Sequence, residues 1–281
     1  MNVDLNKIKK RASLDGDGRI STENSEPFFK GSLVEICTLS YAAYSFSEKH
    51  ALKHELMPFF SETRLGKIGR WLLNPQDSSL SEKHISALEQ SAAAELAICA
   101  AMKNSGRLFA PSDYAYKDSG QPTIPNGHIS ISHTEGYAAC AIAREPVGID
   151  VERGHTFSKA AAKRILSPQE ELMSDSTNAD ELLSRIWTVK ESFLKMTGEG
   201  IPGGMRTLEL IAAGDGSSDV WTIKRGTEPE AGRAVLLSIS DSGDSADFND
   251  AYLSVCTKKK AMMHINRFES VESILEFLNE P

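Results

Sequence analysis

The sequence predicts an α+β fold made of two successive regions, each with one long helix and several short strands. A stretch rich in Ala, Leu and Glu runs from Ser81 to Met102, which is typical of a helix, and a second long helix is predicted from Glu181 to Met196. Shorter stretches with alternating apolar and polar residues follow each of them, which is typical of strands. At 281 residues and 40% hydrophobic content, the chain is also large enough to bury a core.

The first region begins after a polar segment, residues 1–29, which we expect to be a flexible N-terminal extension. β-Branched and aromatic residues from Leu33 to Tyr44 predict a strand, and the helix at Ser81 to Met102 follows. Turn residues separate three more predicted strands: Ile129–Ser132, Tyr137–Ala143 and Val147–Glu152. We therefore assign residues 30–150 to a first α+β half.

The second region, residues 151–281, starts with helices and ends with strands. A helix is predicted at Lys159–Leu166, and Ser167 and Glu170 have the spacing of a capping box that opens a short helix. The long helix should end before Gly198, since glycine favours the helix C-terminus. The remaining predicted elements are three strands, Val220–Lys224, Ala234–Ser240 and Ala251–Thr257, and a terminal helix, Val271–Leu278.

Composition narrows the class of protein. Lys and Arg number 31 against 39 Asp and Glu, and the net charge of −8 argues against nucleic-acid binding. The four cysteines are scattered singly, which predicts buried, reduced thiols and a cytoplasmic protein. The N-terminus lacks the apolar stretch of a signal peptide, and no run reaches the ~18 apolar residues of a membrane span. We expect a soluble protein that is not exported.

The segment Gly148-Ile149-Asp150-Val151-Glu152 places two carboxylates on one face of a strand. Alternate side chains share a face, so Asp150 and Glu152 should lie about 7 Å apart at their Cα atoms. Two neighbouring carboxylates repel each other unless water, a basic side chain or a hard cation such as Mg²⁺ is near. From spacing alone, a solvated sheet face and a cation site both remain open.

Two further candidates lie on either side of this segment. Glu191 and Lys195 stand four residues apart in the predicted helix, and this spacing suits either a surface ion pair or a shared site. His133 follows a predicted strand, where a turn could direct its imidazole towards a ligand or give it a structural role.

Together these segments resemble the surfactin-type 4'-phosphopantetheinyl transferases in order and spacing. The motifs are Ile131-Ser132-His133, then the Gly148–Glu152 segment, then Trp187 through Lys195. The resemblance extends in blocks from about Arg64 to Thr257 and includes the turn Gly198-Glu199-Gly200 and the strand Tyr252–Cys256. It leaves the first ~60 residues and the C-terminal tail unassigned.

The resemblance implies an enzyme that transfers the phosphopantetheine arm of coenzyme A to a serine of a carrier protein. Asp150, Glu152 and Glu191 would bind one Mg²⁺, which also holds the pyrophosphate of coenzyme A. Glu191 would be the general base for the serine hydroxyl, directly or through water. Lys195 would stabilise or protonate the departing adenosine 3',5'-bisphosphate.

The resemblance also implies contacts to coenzyme A. His133 would contact a phosphate, with Ser132 beside it, and Lys190 would serve the same anionic pocket or face solvent. Three basic residues, Arg64, Lys67 and Arg70, lie where the family has residues that meet the 3'-phosphate. A solvated helix face is the alternative for these three.

Two positions depart from the family pattern. The family often has Gly-Lys-Pro before the histidine strand, and this chain has Gly120-Gln121-Pro122, which implies one phosphate contact fewer. The segment Gln90–Glu95 also lacks an arginine that the family helix often carries near the nucleotide. Neither departure affects the three carboxylates.

For the fold, the resemblance implies two similar halves, each a long helix packed on a small three-stranded antiparallel sheet. The halves would form a pseudo-dimer with a central cleft for coenzyme A, in a monomeric chain whose partner is an acyl or peptidyl carrier protein. A relative that binds the carrier or coenzyme A without catalysis is the alternative function. Another Mg²⁺-dependent phosphoryl transferase is disfavoured, because no P-loop or kinase motif is present.

Overall fold

The computed structural model describes residues 33–41, 53–73, 80–106, 114–117, 121–171, 179–200, 204–212, 219–239 and 251–280. The predicted extension, residues 1–29, lies outside these ranges. The strands are β1 (Leu33–Ser40), β2 (Ala115–Tyr116), β3 (Pro122–Thr123), β4 (His128–Thr134), β5 (Tyr137–Ala143), β6 (Val147–Arg153), β7 (Leu208–Ala212), β8 (Val220–Arg225), β9 (Glu228–Ile239), β10 (Ala251–Thr257) and β11 (Met262–Phe268). The helices are α1 (Lys53–Leu56), α2 (Glu62–Leu73), α3 (Glu82–Asn104), α4 (Lys159–Ile165), α5 (Pro168–Glu171), α6 (Ala179–Thr197) and α7 (Val271–Asn279).

The mixed helix and sheet content confirms the predicted α+β class, and the chain divides into two compact units. Of the described residues, the first unit contains those within 35–142 and 265–281, and the second contains residues 33–34 and those within 143–264. The predicted division fell between residues 150 and 151. The structure differs there, because β6 pairs along its whole length with β10 of the second unit.

In the first unit, the long helix α3 packs against β4 and α7. Its strands form a four-stranded sheet in the order β11-β1-β5-β4, and β2 and β3 form a separate two-stranded sheet. Ser81 begins α3 as its N-cap, with its side chain accepting from the backbone N–H of His84. The second half of α3, from Ala92 to Met102, is buried throughout and forms much of this unit's core.

In the second unit, α6 packs against β6, β10 and β9 of an antiparallel five-stranded sheet. The sheet order is β6-β10-β9-β8-β7, so α6 covers the end of the sheet that carries β6. Gly198, with φ of +76°, follows the last residue of α6 and donates its backbone N–H to Leu194. The predicted helix end before Gly198 is confirmed.

Several predicted elements differ in extent. The first predicted strand, Leu33–Tyr44, ends at Ser40, and residues 42–44 lie outside the described chain. The sheets have four and five strands rather than three, partly because β11 was not predicted. In β11 the buried Met263 and Ile265 alternate with His264 and Asn266, but this strand carries few β-branched residues.

The four cysteines are buried and none forms a disulfide, which agrees with the predicted reduced thiols. Burial raises the pKa of each thiol well above its usual value. Within the described residues, no helix has the length and apolar character needed to cross a membrane.

Candidate active site

The candidate site of the second unit depends on a close approach between β6 and α6 at Gly148. A Cβ atom at Gly148 would lie 1.8 Å from the backbone oxygen of Ser192 and 2.5 Å from the backbone nitrogen of Met196. Only glycine therefore fits at this position. Asp150 and Glu152 share the strand face of Gly148, so the strand directs them towards the side on which α6 lies.

Asp150 is the innermost carboxylate, with only 4% of its surface exposed. Lys195 of α6 donates from Nζ to Asp150 Oδ1 at 2.7 Å. This burial excludes the solvated sheet face that spacing alone left open. Lys195 therefore forms its ion pair with Asp150 of β6. The alternative of a surface ion pair between Lys195 and Glu191 is not observed.

Glu191 lies next to this pair and is 8% exposed. Its Oε1 atom is buried and receives no hydrogen bond from any described residue. Burial, together with the negative charges of Asp150 and Glu152, raises the pKa of Glu191 to about 7, although Lys195 opposes this shift. The carboxyl therefore changes its protonation state near neutral pH.

Glu152 lies at the more exposed end of the same strand face, with 29% of its side chain accessible. The ring of His155 approaches it, with Nδ1 4.0 Å from Glu152 Oε1 and 3.0 Å from the backbone oxygen of Arg153. The His155 ring also packs on Phe157, which in turn contacts Trp187 of α6. Aromatic packing thus fixes the rim of the site beside Glu152.

These residues have the donor chemistry of a site for a hard divalent cation. Three carboxylates act on one another, and Lys195 contributes one positive charge against them. The described chain contains no preassembled group of three His, Cys, Asp or Glu side chains with metal-ligand geometry. Even so, an all-oxygen donor set that includes the buried Glu191 Oε1 is the type that Mg²⁺ prefers, and the residues fit such an ion.

Both predictions for Lys190 were wrong: its side chain does not face solvent, and it does not contribute to an anionic pocket for coenzyme A. It is fully buried, and Nζ donates to Glu170 Oε2 at 2.6 Å and to the backbone oxygen of Ile165 at 2.8 Å. Burial lowers the pKa of Lys190, while Glu170 opposes that shift. Glu170 also accepts from the backbone N–H groups of Ser167 and Leu210, so the predicted capping box is confirmed.

His133 and Ser132, both in the first unit, point in different directions from β4. Ser132 is buried, whereas His133 is exposed. The Nδ1 atom of His133 lies 3.0 Å from Gln90 Oε1, and Gln90 Nε2 donates to Ser86 Oγ. A carbonyl oxygen accepts only from a protonated nitrogen, so Gln90 holds the proton of His133 on Nδ1 and leaves Nε2 as the other ring nitrogen.

Arg64 and Lys67 lie on α2 of the first unit. Lys67 is exposed, as a solvated helix face requires. Arg64 is not, because only 16% of its side chain is accessible and its guanidinium pairs with Glu95 of α3. Arg70 lies on the same helix, with its side chain outside the described part.

The residue that departs from the family's Gly-Lys-Pro, Gln121, accepts a hydrogen bond from Lys117. The distance from Lys117 Nζ to Gln121 Oε1 is 2.9 Å, and the backbone N–H of Lys117 donates to the backbone oxygen of Gln121. A lysine ammonium is therefore present beside this position even though the residue itself is glutamine.

Sequence reasoning missed several residues that position the candidates. Glu170 was recognised as a helix cap but not as the partner of Lys190. Glu95 is the one charged residue between Ala92 and Met102, and such an isolated charge within an apolar helix segment predicts a buried partner. His155 and Gln90 gave no comparable signal, since their roles depend on tertiary contacts.

Similarity to known proteins supports the resemblance seen in the motifs. Residues 146–248, which include β6 and α6, match the family model described as the 4'-phosphopantetheinyl transferase superfamily. Over these residues the chain is similar to this superfamily, and curated proteins named as 4'-phosphopantetheinyl transferases match the chain as well. It is 35% identical over 83 residues to 4'-phosphopantetheinyl transferase Sfp of Bacillus subtilis, covering 28% of this chain and 37% of that protein.

Two further matches cover longer parts of this chain. 4'-Phosphopantetheinyl transferase psf-1 of Bacillus pumilus is 29% identical over 168 residues, covering 57% of this chain and 67% of that protein. Among solved structures, the holo-[acyl-carrier-protein] synthase of Thermotoga maritima matches with a TM-score of 0.30 and 22% identity, over 41% of this chain and 64% of that one. The chain thus spans between about a third and two thirds of the length of these relatives.

Proposed function

We propose that this chain transfers 4'-phosphopantetheine from coenzyme A to a serine hydroxyl of an apo carrier protein. The observation that carries the proposal is the pair of buried carboxylates Asp150 and Glu191, with Lys195 bonded to Asp150 and Glu152 at the rim. Carboxylates placed against each other weaken a fold unless they serve a ligand or a reaction. The match of residues 146–248 to the superfamily model supports the same activity.

In the proposed reaction, the serine oxygen forms a bond to the β-phosphorus of coenzyme A while the pyrophosphate P–O bond breaks. Glu191 accepts the serine proton, directly or through water, from its buried position beside Asp150 and Lys195. Lys195, a third exposed beside Asp150, donates to the oxygen of the departing adenosine 3',5'-bisphosphate. The products are the holo carrier and this nucleotide.

We further propose that Asp150, Glu152 and Glu191 would hold Mg²⁺ through their carboxylate oxygens. When bound, the ion supplies positive charge against the negative charge on the pyrophosphate. The buried Glu191 Oε1 and the mutual repulsion of the carboxylates support this assignment. The ammonium of Lys195 balances part of the negative charge of the three carboxylates through its bond to Asp150.

The first unit supplies the remaining predicted contacts. His133, with Nδ1–H held by Gln90, would donate from Nε2 to a phosphate of coenzyme A in its protonated, imidazolium form. Arg64, Lys67 and Arg70 remain predicted contacts of the 3'-phosphate. We also propose that the two units are the halves of a pseudo-dimer in a monomeric, cytoplasmic enzyme; light scattering of the purified chain tests the monomer.

The experiment that tests the function is intact-mass spectrometry of apo carrier proteins incubated with the chain, coenzyme A and Mg²⁺. Carriers of fatty-acid, polyketide and nonribosomal-peptide type should be tried in parallel, each with an EDTA control. We expect one phosphopantetheine to be added to at least one carrier, and we expect EDTA to prevent it.

Two other results would change the assignment. Binding of coenzyme A and of a carrier without any gain in carrier mass would favour a non-catalytic relative. Transfer that persists in EDTA would remove the metal from the proposal while leaving the transferase activity in place.

A further inference from the structure

The first unit contains a buried charged network that the proposed catalytic group does not use. Its centre is Glu95 of α3, which is fully buried within an apolar stretch of the helix. Taking a carboxylate out of water is costly unless hydrogen bonds and a positive charge compensate. Burial raises the pKa of Glu95, and Arg64 and Ser61 oppose the shift.

Three donors surround this carboxylate. Tyr114 Oη donates to Oε1, Ser61 Oγ donates to Oε1 at 3.3 Å, and Arg64 Nε donates to Oε2 at 3.4 Å. They come from the start of α2 and from the residue before β2, so Glu95 joins two segments to α3. Both Glu95 oxygens are thus engaged from the protein side, which leaves none of them directed to solvent.

The guanidinium of Arg64 is held at two of its three nitrogens. Nε is held by Glu95, and Nη2 donates to the hydroxyl of Tyr116 at 3.2 Å. Nη1 makes no hydrogen bond to a residue in the described part of the chain, and 16% of the Arg64 side chain is accessible. Tyr116 itself is 45% exposed and packs edge-on against Tyr114.

This arrangement differs from that of an exposed arginine. An exposed side chain loses rotamer entropy when it binds an anion, whereas a guanidinium already fixed at Nε and Nη2 has lost most of that freedom. A phosphate monoester suits the remaining Nη1 edge, because guanidinium N–H groups match phosphate oxygens. The charge on Lys67, one helical turn away and exposed, would add to the attraction.

We propose that Glu95 is a positioning residue that fixes Arg64 for the 3'-phosphate of coenzyme A, with Tyr116 as the second support of the guanidinium. The inference rests on the proposed function, because coenzyme A is its ligand. It goes further by assigning discrimination between coenzyme A and 3'-dephospho-coenzyme A to a buried carboxylate that never touches the ligand.

The test compares KM and kcat for these two co-substrates in the full chain and in E95Q, Y116F and R64A. E95Q should raise KM for coenzyme A about tenfold, since the charge that holds Nε is lost, and should leave kcat and the KM for 3'-dephospho-coenzyme A within about twofold. Y116F should raise KM for coenzyme A about threefold. In the R64A background, E95Q should have no further effect on this preference.

E82Q is the matched control, because Glu82 lies in the exposed first turn of the same helix and contacts none of these residues. Its kinetics should equal those of the unaltered chain. Thermal unfolding of each variant shows whether the fold is kept. If E95Q does not fold, Y116F decides the question, because Tyr116 is at the surface.

A purely structural network predicts a different pattern. Equal losses with both co-substrates, or an unchanged preference in both E95Q and Y116F, would overturn the inference while the unaltered chain still transfers phosphopantetheine. An unaltered chain that neither transfers the group nor binds coenzyme A would instead contradict the proposed function, and this inference with it.

Discussion

Two adjacent residues of α6, Lys190 and Glu191, are both buried and charged, but their surroundings differ. Lys190 is fully buried, and its ammonium is matched by the carboxylate of Glu170 and a backbone oxygen. Glu191 is almost as deeply buried, yet one of its oxygens receives no hydrogen bond from the described residues and its neighbours include two further carboxylates. A buried charge that has an oppositely charged partner holds elements together. A buried charge that lies beside like charges lowers the stability of the fold, and such residues are typical of catalytic or ligand-binding sites.

Replacing Glu191 should give the largest effect of any change on this helix. We expect E191A, like D150A, to lower transfer by about 10³-fold or more, because a general base and a cation ligand are lost together. In E191A the free energy of unfolding should stay the same or rise, since repulsion between the carboxylates is relieved. Carrier mass analysis and urea unfolding measure the two quantities.

The control is E181Q, which changes a carboxylate on the first turn of the same helix. Its transfer rate should equal that of the unaltered chain. Unaltered turnover in E191A would remove Glu191 from the mechanism and end the contrast with Lys190.

Replacing Lys190 tests whether its buried ion pair with Glu170 stabilises the fold without taking part in the reaction. K190M leaves Glu170 buried without its cation, which should lower the free energy of unfolding by about 3–5 kcal/mol. Transfer per folded molecule should change far less than in E191A. The matched change K224M, at a partly exposed ion pair with Glu209, should cost no more than about 1 kcal/mol in urea unfolding. A stable K190M that has lost transfer would instead place Lys190 in the chemistry.

A third prediction concerns the contact that brings β6 to α6. G148A should lower the free energy of unfolding by about 3 kcal/mol or more, because the added methyl group meets the backbone of α6 at Ser192 and Met196. Transfer should fall too, since Asp150 would move relative to Lys195. G66A is the control: beyond the neighbouring residues and backbone of its own helix, no described atom lies within 4 Å of that added methyl, and calorimetry should show a protein that is equally stable or more stable.

The smallest expected effect is a dependence of stability on pH in the metal-free chain. The pKa of Glu191 is about 7 in the folded state, above the ~4.3 of an unfolded glutamate, so the folded state binds the proton more tightly. Its contribution is complete below pH 4 and is lost as pH rises through 7, by at most about 4 kcal/mol in all and by about 2–3 kcal/mol between pH 5 and 8.

Urea unfolding of the unaltered chain and of E191Q, from pH 5 to 8, isolates this contribution. The difference in free energy of unfolding between them should fall steadily as pH rises. Added Mg²⁺ should stabilise the unaltered chain more at pH 8 than at pH 5, because the ion binds the ionised carboxylate. Parallel curves for the two proteins would show that Glu191 titrates normally.

The predicted elements came closest to the structure where short-range patterns decide them. The C-terminal end of α6 and the capping box at Ser167 follow from the preferences of single residues, and both were predicted. Strand β11 and the membership of β6 in the second unit were not, because strand pairing joins residues far apart in the chain. A propensity acts locally and does not specify a partner strand.

For the candidate site, the sequence by itself determined which side chains share a face: Asp150 with Glu152 along a strand, and Glu191 with Lys195 along a helix. Periodicity is a property of the backbone, so such pairs follow from spacing alone. Only the tertiary structure decided that Lys195 serves Asp150, 45 residues away, and that Lys190 is buried on Glu170. Partners of this kind depend on how closely two elements pack, and here one glycine, Gly148, sets that distance.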